Sequence, residues 1–323
     1  MPKYDLAILG GGPGGYVAAI RAGQLGFKTV VIDKDNLGGI CLNWGCIPTK
    51  SLLKNAEIYD NLSNHSNDFG ISFKELSIDF SKVIKRSRDI SERISKNVEM
   101  LIKKNKIDRV RGFGKLTSNK TIDILNENGD KVDTIEADKI IVATGARPRM
   151  VSSIPVDRKD IITSSEAMTL PELPSSLIVV GAGAIGIEFA YFYSVLGTKV
   201  TIIEMLDRIL PVEDREVSDA LAKSFKKRGI DIHTGAVVES ATPGNNGVTV
   251  VITKDGKTTE LKAEKVLSAI GVTGNVEGIG LEELGVELFK NHIKVDKADY
   301  STNIPGVYAI GDVIGPPWLA HVA

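Results

Sequence analysis

A pair of three-layer α/β domains is what this sequence predicts, and two observations carry the expectation. A unit of apolar strand, glycine turn, Ala-rich or apolar helix, second strand and terminal acid occurs twice at one spacing: Gly10 to Gly181 and Asp33 to Glu204 are each 171 positions apart. Each copy then runs through short strands separated by turn residues and closes on a buried strand that leads into a glycine, Gly145 in the first and Gly271 in the second, 126 positions apart. The first copy is therefore 45 residues longer, and the excess is a stretch that holds both cysteines of the chain followed by two helical segments.

In the first copy, residues 4–9 (YDLAIL) are a strand that runs into GGGPGG, then an Ala-rich helical segment, then the strand FKTVVID ending at Asp33. Gly10, Gly12 and Gly15 form G-x-G-x-x-G in the full strand–turn–helix–strand–acid setting, the Rossmann-like dinucleotide fingerprint. The glycines let a pyrophosphate approach the backbone at a helix N-terminus, and the acid can accept a ribose hydroxyl. Residues 51–64 and 80–104 are polar-rich helical patterns, expected to pair antiparallel. A meander is expected over 108–135, with Asn128-Gly129 as its hairpin turn, followed by a strand over 139–143 that leads into Thr144 and Gly145. The second copy has Leu177–Val180, then Gly181, Gly183 and Gly186, a helix, the strand 199–203 with Glu204, and a meander over 231–261. The twenty-one residues from Leu177 to Gly197 carry one charge and are long enough to pass for a membrane span, but three glycines and a central Glu188 fit strand, turn and buried helix better.

Composition sets bounds. An apolar share of 42% with 25% charged residues is ordinary for a globular chain, and 323 residues suggest about two domains. A net charge of −1 offers no basic excess for nucleic acid or an anionic membrane. The first strand opens at Tyr4, leaving no room for a targeting segment ahead of it, so a cytoplasmic location is the default expectation, and there a disulfide is usually catalytic.

The stretch G-G-I-C-L-N-W-G-C-I-P-T-K, residues 38–50, holds Cys41 and Cys46. Two thiols five positions apart are open to four readings: a staple, half a metal site, a redox couple, or two small buried residues. Zinc wants about four ligands and the four histidines are scattered, so no metal is expected; a staple closing so short a loop removes little chain entropy. On an ideal helix, residues five apart are about 8.6 Å apart, beyond the roughly 7 Å a disulfide spans, so bridging needs a distorted turn. Gly38, Gly39 and Gly45 supply one, and Pro48 suits the first turn of a helix running through Lys50. A thiolate at that helix start is favoured by the helix dipole, and the flanking sequence favours the redox couple. Two dinucleotide sites and one redox disulfide form an electron path, and flavin is the cofactor that exchanges hydride with nicotinamide and electron pairs with sulfur. FAD is assigned to the first copy, which carries the cysteines, and NAD to the second, because Glu204 would accept from a free 2′-hydroxyl and repel a 2′-phosphate. Arg208 is the counter-argument, without a companion basic residue.

The cysteine stretch, the two fingerprints, A-T-G-A-R-P and the late S-T-N-I-P-G-V-Y-A-I-G-D-V together resemble the pyridine nucleotide-disulfide oxidoreductases, over essentially the whole chain. The closest resemblance is to members that oxidise dihydrolipoamide. It implies that Cys41 exchanges with the dithiol substrate, Cys46 lies against the flavin, Lys50 stands near flavin N5 with Glu188 as its partner, and Asp312 binds the ribityl chain. It also implies a lipoyl carrier domain as substrate bearer, membership of a 2-oxo acid dehydrogenase or glycine cleavage complex, and a homodimer. Asp33 stands where the family usually has Glu. A disulfide reductase of glutathione or mercuric type is disfavoured by Leu42, Ile47 and Glu204. The other alternative is a nucleotide-binding fragment without activity.

The sequence stops at Ala323 inside a motif that the family continues into a dimerisation domain carrying a His–Glu acid/base pair, and none of the four histidines matches that pair. The expectation is a chain lacking that domain and impaired in turnover. The expected division is 1–147 for the FAD domain, 148–271 for the NAD domain, and 272–323 returning to complete the first.

Overall fold

The computed structural model describes Met1–Ala323. Its elements run β1 (Lys3–Leu9), α1 (Pro13–Gln24), β2 (Thr29–Asp33), α2 (Gly39–Trp44), α3 (Cys46–His65), α4 (Phe80–Lys104), β3 (Asp108–Arg111), β4 (Phe113–Leu116), β5 (Thr121–Leu125), β6 (Lys131–Val142) and β7 (Ala146–Pro148). They continue with β8 (Ile161–Ile162), α5 (Ser164–Ala167), β9 (Ser176–Val180), α6 (Ala184–Val195), β10 (Lys199–Glu204), α7 (Arg215–Lys227), β11 (Asp231–Thr234), β12 (Val237–Gly244), β13 (Gly247–Lys254), β14 (Lys257–Ala263) and β15 (Lys265–Ser268). Last come β16 (Val272–Gly274), β17 (Leu288–Phe289), β18 (His292–Ile293), β19 (Val307–Ala309) and a 3-10 turn over Gly311–Ile314.

The chain divides into two compact units, Met1–Asn43 with Ser91–Arg147 and Val272–Ala323, and Trp44–Ile90 with Pro148–Gly271. The first unit is built on one sheet in the order β3-β2-β1-β6-β5-β4, with β19 also on β6. Strands β3, β2, β1, β6 and β19 are mutually parallel. Strand β6 serves two neighbourhoods: its first half pairs antiparallel with β5 and its second half lies between β1 and β19. The strand expected at 139–143 is thus the far end of a longer one. Segment 272–323 returns β19 to the parallel sheet beside β6, through the register Val307↔Ile140 to Ala309↔Val142.

The second unit has a parallel sheet in the order β11-β10-β9-β15-β8 and a separate antiparallel meander β12-β13-β14. Leu177, Ile178, Val179 and Val180 are buried on both faces, as a central parallel strand requires. Helix α6 follows β9, and its Phe189, Ala190, Phe192 and Tyr193 are all buried, so the apolar Leu177–Gly197 run is core strand, turn and helix; no helix is long and apolar enough to cross a membrane.

Three details differ from the sequence reading. The first strand of each expected meander, β3 and β11, instead extends the parallel sheet beside β2 and β10, because each returns from a crossover helix rather than from a hairpin. Residues 39–44 form the short helix α2. Trp44–Ile90, expected within a continuous 1–147 domain, packs with the second unit: Leu52, Ala56 and Val83 bury in one cluster with Phe189, Phe192 and Tyr193.

Candidate functional site

The two glycine turns share one geometry. Gly10 has φ +103° and Gly181 has φ +98°, and a side chain at either would put Cβ 2.1 Å from the carbonyl oxygen of Ala143 or 2.3 Å from that of Ala269. Only glycine lets the turn sit against the closing strand. Gly15 and Gly186 pack as closely, with a built Cβ 1.8 Å from the Gly10 oxygen and 2.0 Å from the Gly181 oxygen. Gly12 and Gly183 cap α1 and α6 with extended backbone and no side-chain cap. A Cβ at Gly183 meets nothing within 4 Å, and one at Gly12 meets only the Gly39 Cα at 3.8 Å. Each helix therefore begins with uncapped N–H donors, a positive dipole end and open space, which suits a pyrophosphate.

The acids at the strand ends are wired alike. Asp33 Oδ2 accepts the Gly11 N–H at 2.5 Å and Oδ1 the Asp35 N–H at 2.8 Å. Glu204 Oε2 accepts the Ala182 N–H at 2.7 Å and Oε1 the Leu206 N–H at 2.9 Å. Each carboxylate fixes its own glycine turn and keeps further acceptor capacity for a ribose hydroxyl. Burial pushes the Asp33 carboxyl above its ordinary value, opposed by the two backbone donors and the Arg109 charge. Arg208 turns back into its own loop, donating Nη2 to the Pro211 carbonyl at 2.9 Å.

Thr144 and Gly145 are held by Asn275, which the sequence reading did not single out: Thr144 Oγ1 donates to the Asn275 carbonyl at 2.8 Å, and Asn275 Nδ2 donates to the Thr144 carbonyl at 2.8 Å. Gly145 and Gly271 both have positive φ and open space where a Cβ would stand. Asp312 sits in the 3-10 turn; burial raises its carboxyl pKa, the nearby His292 lowers it, and no hydrogen bond from the chain reaches its side chain. The carboxylate is only partly buried, so water can reach it, and it keeps its full acceptor capacity for a hydroxyl of a bound group. The uncapped start of α1, the strand-end acid Asp33 and the partly exposed acceptor Asp312 fit FAD in the first unit, and the second unit's turn with Glu204 fits NAD.

Both cysteines are disulfide-bonded, and they are the chain's only two. The helical path breaks between them. Helix α2 ends at Trp44, Gly45 takes φ −150° and ψ −113°, and α3 starts at Cys46, so the pair escapes the spacing of a continuous helix. Gly39 lies against Gly12, where a Cβ would come 2.7 Å from the Gly12 Cα. Asn43 Nδ2 donates to the Leu37 and Gly39 carbonyls at 3.2 and 3.0 Å, and Ser95 Oγ donates to the Leu37 carbonyl at 2.6 Å, tying down the loop ahead of the first cysteine. Lys50 stands one helical turn beyond Cys46 on the same side of α3. Its Nζ donates to Glu188 Oε1 on α6, with side-chain exposures of 62% and 29%. The Glu188 carboxylate has its partner, in a half-exposed rather than buried setting.

Two turns built for nucleotides and one disulfide at a helix start define a flavoprotein disulfide oxidoreductase. Residues 4–323 match the family described as pyridine nucleotide-disulphide oxidoreductase. The chain is 47% identical over 321 residues to dihydrolipoyl dehydrogenase of Zymomonas mobilis, covering 99% of this chain and 68% of that protein. It is 44% identical over 330 residues to dihydrolipoyl dehydrogenase of Bacillus subtilis, covering 99% and 69%. Among solved structures, LpdA of Mycobacterium tuberculosis is similar at TM-score 0.90 and 32% identity, covering 100% of this chain and 70% of that one. The HOCl-induced flavoprotein disulfide reductase RclA of Escherichia coli, as its Cu(II) complex, is similar at TM-score 0.86 and 27% identity, covering 100% and 68%. The chain belongs to the pyridine nucleotide-disulphide oxidoreductase family. It is an oxidoreductase of the NAD-dependent flavoprotein type, with FAD and NAD as cofactors.

Proposed function

We propose that the chain oxidises dihydrolipoamide to lipoamide with NAD as final acceptor, on a lipoyl carrier domain of a 2-oxo acid dehydrogenase or glycine cleavage complex. The observation that carries this reading is the Cys41–Cys46 disulfide at the start of α3, in a chain 44–47% identical to dihydrolipoyl dehydrogenases. One sulfur of the dithiol attacks Cys41 and the S–S bond breaks, leaving Cys46 as thiolate. The second sulfur attacks the mixed disulfide and releases Cys41, so the substrate leaves as a disulfide and two electrons stay on the cysteines. The α3 dipole and Lys50 stabilise negative charge at Cys46, and Glu188 orients Lys50. Bound FAD supplies an acceptor for that electron pair and a source of hydride for NAD. Gly10, Gly12 and Gly15 shape the turn that receives its pyrophosphate, Asp33 and Asp312 take its hydroxyls, and Thr144 and Gly145 line the same turn. Gly181, Gly183, Gly186, Glu204 and Gly271 do the equivalent for NAD.

The test is thiol exchange on the oxidised, FAD-loaded chain under anaerobic conditions. Dihydrolipoamide is expected to generate two protein thiols faster than glutathione at equal thiol concentration. A faster reaction with glutathione would favour a disulfide reductase of another substrate class.

A further inference from the structure

We propose that Arg147 and Glu277 are positioning residues for the flavin turn. Glu277 holds the Arg147 guanidinium, Arg147 fixes the Asn275 amide, and that amide keeps Thr144 and Gly145 in place beside Gly10. The proposal rests on the reading of the Gly10 turn as the FAD site. Thr144 borders that turn directly, since a Cβ at Gly10 would stand 3.1 Å from the Thr144 Cα. Three hydrogen bonds join Thr144 and Gly145 to Asn275. Thr144 Oγ1 donates to the Asn275 carbonyl and Asn275 Nδ2 to the Thr144 carbonyl, each at 2.8 Å, and the Asn275 N–H donates to the Gly145 carbonyl at 2.9 Å. Gly145 has φ +71° and nothing within 4 Å of where a Cβ would stand, so no packing on that side keeps the turn in shape. Its hold comes from Asn275.

Arg147 decides which way the Asn275 amide faces. Its Nη1 donates to Asn275 Oδ1 at 3.1 Å and to the Gly274 carbonyl at 3.0 Å. Turning the amide over would set Nδ2 against that guanidinium and Oδ1 against the Thr144 carbonyl, donor facing donor and acceptor facing acceptor. The guanidinium is itself clamped. Nη1 and Nη2 donate to the two Glu277 carboxylate oxygens at 2.8 and 2.7 Å, a bidentate pair that fixes the plane of the fork. The Arg147 hydrogen bonds hold the Glu277 carboxyl below its ordinary pKa, so the clamp stays charged at neutral pH. The two side chains are 45% and 58% exposed, so the pair adds little to stability and its effect lies in geometry. A lysine at position 147 would keep the charge but not the fork that serves Glu277, Gly274 and Asn275 together.

The experiment strips FAD from the full chain, titrates it back and reads the Kd from the change in flavin fluorescence, with NADH affinity measured by calorimetry on the same proteins. Arg147→Met is expected to weaken FAD at least about tenfold, with NADH affinity kept within about twofold. Asn275→Ala is expected to weaken FAD at least as much. The double variant should bind FAD within about twofold of Asn275→Ala alone, because Arg147 acts through that amide, whereas an arginine with a separate structural role would give losses that multiply. Arg147→Lys should stay within about threefold of Arg147→Met. Glu277→Gln, on the surface, should weaken FAD about threefold and decides the matter should Arg147→Met fail to fold. Losses that multiply, full affinity in Arg147→Lys, or parent-like affinity in Glu277→Gln would each overturn the positioning role alone. A parent chain that takes up no FAD would overturn the FAD reading beneath it as well.

Discussion

Glu204 accepts the backbone N–H of Ala182 at 2.7 Å, repeating 171 positions later the bond that Asp33 makes to Gly11. The acid that is expected to read the ribose therefore also fixes the turn that receives the pyrophosphate. Glu204→Ala should weaken NADH binding through both roles, leaving the Ala182 and Leu206 donors without their acceptor at a cost of about 1–3 kcal/mol. The unsubstituted chain should bind NADH at least about tenfold more tightly than NADPH, as measured by calorimetry, because the carboxylate repels a 2′-phosphate. Equal affinities would remove Glu204 from the specificity argument.

Gly10→Ala and Gly181→Ala separate the two nucleotide sites. Each would add a Cβ within 2.3 Å of a carbonyl oxygen at a positive φ, a strain that should exceed about 2 kcal/mol. Flavin content after purification should fall for Gly10→Ala with NADH affinity kept, and the reverse should hold for Gly181→Ala. Loss of both properties in both variants would argue against independent sites.

The Lys50–Glu188 pair is exposed enough that it should contribute little to stability, within about 1 kcal/mol. Lys50→Met should leave the thermal midpoint nearly unchanged while slowing NADH-driven reduction of the disulfide by at least about tenfold, if its charge serves the thiolate. A melting point lowered by many degrees with unaltered reduction kinetics would assign the pair a structural role instead.

Arg228 donates to both Asp60 oxygens at 2.8 and 2.7 Å, joining α3 to the end of α7. These bonds hold the Asp60 carboxyl below its usual range, against the opposing effect of burial. With the folded pKa below the unfolded one, the pair contributes above the unfolded value of about 3.9, and the contribution is lost as pH falls through the folded value. Asp60→Asn should thus lower stability by about 1 kcal/mol at neutral pH, and the gap to the unsubstituted chain should close as the pH falls below about 4. Urea titrations at several pH values would show this, and a gap constant with pH would contradict it.

Much of the fold was legible because glycine turns and fully apolar strands leave strong local signals, and because the unit repeats at a fixed offset. The places of β3 and β11 were not: Asp108–Arg111 and Asp231–Thr234 carry charges and turn neighbours typical of a meander, and only pairing with β2 and β10 makes them sheet strands. Helix α2 was hidden by Gly38 and Gly39, whose propensity argues against a helix start. At the site, the two cysteines, the glycines and the acids announce themselves by spacing. Asn43, Ser95 and Asn275 do not, since a polar side chain's partner can lie far along the chain, as Leu37 lies 58 positions from Ser95. The division at Trp44 depends on Leu52 and Val83 finding Phe189 and Tyr193, a tertiary choice with no local mark.

The central claim is that electrons pass between nicotinamide and the Cys41–Cys46 disulfide through a flavin. The most direct measurement adds NADH anaerobically to the oxidised chain with and without FAD, quenches in denaturant and counts protein thiols. The account predicts none before NADH, two after NADH with FAD present, and none after NADH without FAD. Two thiols already free in the oxidised chain, or a count indifferent to FAD, would contradict it.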